Sequence, residues 1–464
     1  MMTSITRHTK AGTIIGQIKQ HCETYFGIPY AYPPINERRF KHAELKTTWS
    51  EPLHADQFKA IPPQPFNKLE AFFSTHPEDT QVPKIKHQSE DCLYLNIWKP
   101  IAASSNQKLP VMIWVYGGGY LNGHGSAELY NPQAFAEHAQ VIVITFNYRL
   151  GALGYLNFNA IHEDYDMNCG LSDQFTALLW VNQFIEDFGG DSNNITLCGQ
   201  SAGAMSIQAL MHLKAAQPLF HKAVLMSGPL RFDEVQHSQN TAQHFLNTVT
   251  KLYDTTNLAA LSTHQMMHAL EEDLAQYGPS KGLELIYSPI FDESTMVDTT
   301  PDKWPVLVGF TEQEGDCYIR NESRKLAPER FLEIMKNNDV TVNTAAFDIT
   351  TGKGQSEAIT YYEFKQPSLR WLDHYQYKKK WLYCFNWSAP ASQNFKTPYH
   401  ILDVIFWFGH TDILHAHHLP ITPHTHTLMQ QMMDTLGKFV TEGHVDWPVY
   451  TTIEDAYISN KKNA

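Results

Sequence analysis

Residues 196–205 read TLCGQSAGAM, so that one hydroxyl, Ser201, is framed by Gly199, Gln200, Ala202 and Gly203. A serine attacks a carbonyl only if a base removes its proton and the backbone holds it clear of its neighbours. A Gly-x-Ser-x-Gly run at a strand-to-helix turn meets the second need, because small residues two positions away let strand and helix close on a sharp turn. A second cluster, Val115-Tyr116-Gly117-Gly118-Gly119-Tyr120, ends another apolar run. Three successive glycines suit neither strand nor helix, yet they let backbone N–H groups converge on a developing oxyanion. Gly118 and Gly119, with the N–H of Ala202 at the helix start, are the candidate donors. The bland readings are an ordinary strand–helix connection and a flexible glycine turn. Both features together point instead to acyl transfer.

The elements that must position these residues follow from hydrophobic patterning. From about residue 93 onward, short apolar runs (LYLNIW, VMIWVY, VIVITF, ITLCG, KAVLMSG) alternate with helical patterns. Such alternation predicts an α/β fold with a largely parallel sheet buried on both faces. Leu171, Phe175, Leu178, Asn182, Ile185 and Phe188 recur at helical spacing, and Gly189-Gly190 supplies a stop before the strand that leads to Ser201. Near the N-terminus GTIIGQIKQ and TYFGIPY predict a small hairpin. Helical segments around 240–275 and 328–336 are expected to lie over the sheet. No repeat, low-complexity tract or linker divides the chain, so one domain spanning 1–464 is expected, with cap-like helical regions at about 229–288 and 317–370.

Composition narrows the function classes. The 464 residues are 43% hydrophobic and 18% charged, a globular profile rather than a disordered one. With 35 Lys and Arg against 48 Asp and Glu, the formal net charge is −13, the wrong sign for nucleic acid or an anionic membrane surface. The opening MMTSITRHTKAGTIIG has no secretory-type apolar core, and no run approaches the ~18 apolar residues of a membrane helix. A soluble cytoplasmic protein is expected. The six cysteines at 22, 92, 169, 198, 317 and 384 have no C-x-x-C spacing, and free buried thiols are expected.

Beyond the two clusters, FGIPYA at 26–31, SEDCLYLNIW at 89–98, NYRLGALGYL at 147–156 and GLSDQFTALLWVNQFIEDFGGDSNNITLCGQSAGA at 170–204 resemble the carboxylesterase type B family of α/β hydrolases. That family includes the cholinesterases and bacterial para-nitrobenzyl esterases. The resemblance is dense from about residue 11 to 229 and patchier afterwards. It implies an α/β-hydrolase fold, a mostly parallel mixed sheet flanked by helices, and a serine carboxylesterase that needs no cofactor and no metal. The family order is serine, acid, histidine. Glu314-Gly315, after the strand VLVGF, is similar to the family's acid position, with Glu312 and Asp316 as neighbours that the pattern does not favour. TPYHILDVIFWFG at 397–409 resembles the histidine segment, which makes His400 the base, with Asp403 three positions on and His410 its competitor. Ser227 resembles a buried serine that supports the acid.

Departures from the family bear on substrate. Gln200 stands where most relatives carry an acidic residue, and no tryptophan lies between Trp49 and Cys92. In cholinesterases those two features attract and stack a quaternary ammonium, so uncharged esters are expected here despite Tyr116. Cys92 has no partner cysteine after Cys22, so the family's stapled loop is expected to be absent. His415, His417, His418, His424 and His426 form a histidine-rich stretch without acidic or cysteine partners, which reads as a surface loop rather than a metal site. Two alternatives stay open: the same triad in an amidase, lactonase or thioesterase, and an adhesion or scaffold protein of the same fold. The second would have lost the nucleophile.

Overall fold

The computed structural model describes residues 3–77, 87–101, 108–280 and 282–458. Both chain ends, part of the loop before Cys92 and one position of the first cap region lie outside these described residues.

The core is one mixed sheet. Its strands are β1 (Thr3–Thr9), β2 (Gly12–Lys19), β3 (Cys22–Pro29), β4 (Leu53–His54), β5 (Tyr94–Pro100), β6 (Leu109–Val115), β7 (Ile142–Phe146), β8 (Gly190–Gln200), β9 (Lys222–Met226), β10 (Val306–Thr311), β11 (Lys380–Phe385) and β12 (Tyr457–Ile458). The spatial order is β1-β2-β3-β5-β7-β6-β8-β9-β10-β11-β12, with β4 beside β2. Pairing is antiparallel from β1 to β7 and parallel from β7 across to β12. The predicted hairpin is β2–β3, extended at the edge by β1, which the sequence reading did not foresee. β7 (IVITF) and β9 (KAVLM) are buried at every position. Apolar, largely β-branched runs suit a sheet covered on both faces by helices.

Register decides where the site forms. Val115 pairs with Gly199, and Gln200 and Gly309 both pair with Met226. The carboxyl ends of β6, β8, β9 and β10 are therefore level, and Gly117–Gly119, Ser201, Ser227 and Glu314 all follow them directly. In open parallel sheets this edge is where ligands bind.

The helix predicted from the 171–188 periodicity runs Cys169–Phe184, tightens to a 3-10 turn at Ile185–Phe188 and stops at Gly189, φ 82°. Phe175 and Asn182, part of the predicted stripe, are only half-buried, while Gln174, Ala177, Trp180 and Val181 are buried. A helix enclosed on most sides has no single apolar stripe to read. It is tied down by a buried ion pair: Arg149 Nη2 and Nε donate to Asp173 Oδ1 and Oδ2 at 2.6 and 2.8 Å, and the Arg149 N–H donates to Asp173 Oδ2 at 2.9 Å. Burial opposes the guanidinium charge; the Asp173 carboxylate overrides it and holds Arg149 above its ordinary value.

Helices Val235–Tyr253, Thr263–Gln276 and Pro328–Asn337 lie where helical segments were expected. A second, smaller apolar cluster (Ile319, Phe331, Ile334, Ile359, Phe364 and neighbours) sits apart from the main core. All six cysteines are unpaired, Cys22 and Cys92 included. Burial pushes the Cys22 thiol up to about 12. Among the described residues no helix is long and apolar enough to cross a membrane.

Candidate active site

Strand β8 delivers the chain to Ser201 at φ 56°, ψ −128°, a left-handed conformation uncommon for a residue with a side chain. The turn is pinned from both sides: the Ser201 N–H donates to Met226 O at 2.8 Å, and its carbonyl accepts from the Met205 N–H at 3.0 Å. The flanking glycines are required by close approach. A Cβ on Gly199 would lie 2.7 Å from the Gly203 carbonyl carbon and 2.9 Å from Val115 O, and one on Gly203 would strike Val115 O. Helix Ala202–His212 starts immediately after.

Glu314 opens a 3-10 turn after β10 and is fully buried. Its Oε1 accepts from Ser227 Oγ and from the Thr311 N–H, each at 2.6 Å. Its Oε2 lies 2.6 Å from His400 Nδ1. Facing a carboxylate, Nδ1 carries the proton, which leaves Nε2 of the neutral imidazole as the lone-pair acceptor. That nitrogen lies 3.0 Å from Nε2 of Gln200, the residue before Ser201. Ser201 Oγ makes no hydrogen bond to protein among the described residues. The ring of His400 is flanked by Phe364 and Tyr318, at centroid distances of 4.9 and 5.6 Å.

The N–H groups of Gly118, Gly119 and Ala202 likewise donate to no protein acceptor among the described residues. Gly118 at φ 120° is a conformation that only glycine adopts readily, and its carbonyl accepts from Leu121 and Asn122 at 3.1 Å, which fixes the loop. Gly118 is exposed, Gly119 half-buried and Ala202 buried. A Cβ at Gly119 would touch Leu285 Cδ2 at 3.5 Å, which puts a side chain of the 229–288 region at the edge of the site.

The competing residues do not contact the imidazole among the described residues. Glu312 is exposed, and Asp316 accepts from Ser356 Oγ at 2.6 Å. His410 Nε2 is bound to Leu129 O at 2.8 Å. In the histidine-rich stretch, His417 Nε2 meets Phe72 O at 2.7 Å.

Three features of the surroundings of His400 were not foreseen from the sequence, although Asp403 and Gln200 themselves were noted there. Asp403 is fully buried, accepts from Tyr383 Oη at 2.8 Å and Trp407 Nε1 at 3.3 Å, and is pushed up to about 6 by burial, with the Tyr383 hydrogen bond opposing. Ile401, β-branched and next to His400, sits at φ 77°, a strained conformation that no local pattern announces. Gln200 was expected to matter through its missing charge, and here its amide also reaches His400.

Comparison with known proteins identifies the family and the fold. The model of the carboxylesterase family matches residues 3–464. A para-nitrobenzyl esterase of Bacillus subtilis (strain 168) is 31% identical over 462 residues, covering 95% of this chain and 92% of the relative. An acetylcholinesterase of Danio rerio is 31% identical over 342 residues, 68% of this chain and 53% of the relative. Among solved structures, a thermophilic PNB esterase superposes with a TM-score of 0.86 at 29% identity, covering 98% of this chain and 96% of that one. A second PNB esterase superposes with a TM-score of 0.85 at 29% identity, over 97% and 94% of the two chains. The chain thus has the α/β-hydrolase fold and belongs to the carboxylesterase family, and it is a carboxylic ester hydrolase.

Proposed function

We propose that Ser201, His400 and Glu314 form the catalytic triad, that Gly118, Gly119 and Ala202 form the oxyanion hole, and that the substrates are uncharged small to medium esters. The observation that carries this reading is the Glu314–His400 contact at 2.6 Å, with the unprotonated imidazole nitrogen 3.0 Å from Gln200, the residue before Ser201. His400 Nε2 takes the Ser201 proton as Oγ attacks the ester carbonyl, and three N–H groups receive the oxyanion. The tetrahedral adduct collapses, the alcohol leaves with the proton from Nε2, and an acyl-serine remains. Water, deprotonated by the same nitrogen, then releases the acid. Ser227 and the Thr311 N–H anchor the carboxylate that orients the imidazole and stabilises its charged form. In the same reading the chain is one catalytic unit, the helical regions 229–288 and 317–370 are its cap, and the protein is cytoplasmic.

Substrate choice is tested with thioesters of equal acyl length. A carboxylate about 4 Å from a cation contributes about 1 to 4 kcal/mol depending on screening, and Gln200 supplies no such charge. Acetylthiocholine is expected to be hydrolysed with a kcat/KM about ten-fold or more below that of a neutral thioacetate. Equal values contradict the preference for uncharged esters.

A further inference from the structure

Gln200 sits in the place where proton transfer must occur. It is fully buried at the end of β8, and its Nε2 lies 3.0 Å from His400 Nε2. Glu314 at 2.6 Å fixes the proton on Nδ1, so the amide N–H donates to the same lone pair that must receive the Ser201 proton. The other half of the amide is left without a partner: Gln200 Oε1 is buried, unbonded, and lies where a side chain on Gly117 would come within 3.0 Å of it. A buried acceptor without a donor is unfavourable, and it remains only if the opposite end of the group is held. Ser201 Oγ, one residue further on, makes no hydrogen bond to protein among the described residues. The resting site therefore pairs the base with Gln200 instead of with the nucleophile.

We infer that Gln200 is a positioning residue that holds the unprotonated nitrogen of His400 in the resting enzyme and must release it for Ser201 to be deprotonated. This rests on the triad assignment above and adds a role that the missing acidic residue does not by itself imply. An N–H donated to the unprotonated nitrogen favours the neutral ring; a carboxylate in the same place favours the charged ring. Residue 200 therefore bears on whether Nε2 is available to Ser201.

The test compares the parent with Gln200→Leu, Gln200→Met and Gln200→Glu, following kcat/KM for a neutral para-nitrophenyl ester from about pH 5 to 9. Glu314, Asp403 and Tyr318 face or act on the imidazole, Cys317 adjoins Glu314, and Glu363 lies behind Tyr318. All are common to the four proteins, so differences between profiles report residue 200. The acid limb is expected to move up by about half a pH unit in the Leu variant and by about one unit or more in the Glu variant. The Met variant is expected to match Leu and stands in for it if Leu does not fold. Limbs that stay within about 0.2 unit of the parent in all variants, while Ser201→Ala is inactive, overturn the inference and leave the triad intact. A downward move in the Leu variant also contradicts it, because the carbonyl rather than the N–H would then face the base.

Discussion

Ser201→Ala lowers kcat for a para-nitrophenyl ester by about 10^5- to 10^6-fold, the scale seen when a hydrolase loses its nucleophile while the rest of the site survives. The size follows from the site. Without Oγ no acyl-enzyme forms, and what remains is an oxyanion hole and an imidazole acting on water. Folding is not the reason for the loss: the hydroxyl makes no hydrogen bond to protein among the described residues, and the turn is held by backbone bonds to Met226 and Met205. Thermal unfolding of the variant is therefore expected to match the parent. Steady-state kinetics read the effect, and retention of more than about a tenth of the activity contradicts the assignment.

Glu314→Gln is expected to lower kcat by about 10^4-fold with KM little changed. Glu314 accepts from three donors: Ser227 Oγ and the Thr311 N–H on one oxygen, His400 Nδ1 on the other. A glutamine has one acceptor and one donor to place among them. If its NH2 faces Thr311, two N–H groups collide electrostatically at a buried site. If it faces His400, the imidazole takes its proton on Nε2, where the base needs a lone pair. The buried N–H clash disfavours the first arrangement, so the second prevails and removes the working tautomer while leaving the substrate pocket in place. A fall in kcat of less than about ten-fold would show that the carboxylate is not the partner that orients the base.

What could be read in the sequence is what local geometry demands. Gly199 and Gly203 are needed because strand and helix backbones meet at the elbow, and Gly118 because its backbone lies at φ 120°. Such requirements leave glycines at fixed spacing, so the candidate nucleophile and the candidate oxyanion donors were visible in one chain. The alternation of buried strands and helices gave the sheet for the same reason. Glu314 and His400 have no comparable local signature: they lie 86 positions apart and meet only because β10 and the 397–409 segment converge. They were reached through the family pattern, not through spacing. The contacts that remained hidden are the nonlocal ones, in which Gln200 meets a residue 200 positions away and Phe364 and Tyr318 close on the imidazole from the second apolar cluster. Ile401 was hidden for another reason. A β-branched residue at positive φ is opposed by its own propensity, so only the surrounding fold holds it there.

The central claim is that one serine, activated through His400, does the chemistry. Reaction of the folded protein with a fluorophosphonate, followed by intact mass and peptide mapping, tests it directly. A single adduct on Ser201, formed in step with loss of esterase activity and abolished by His400→Ala, is the predicted result. An adduct on another residue, or complete inactivation with Ser201 unmodified, would contradict the account.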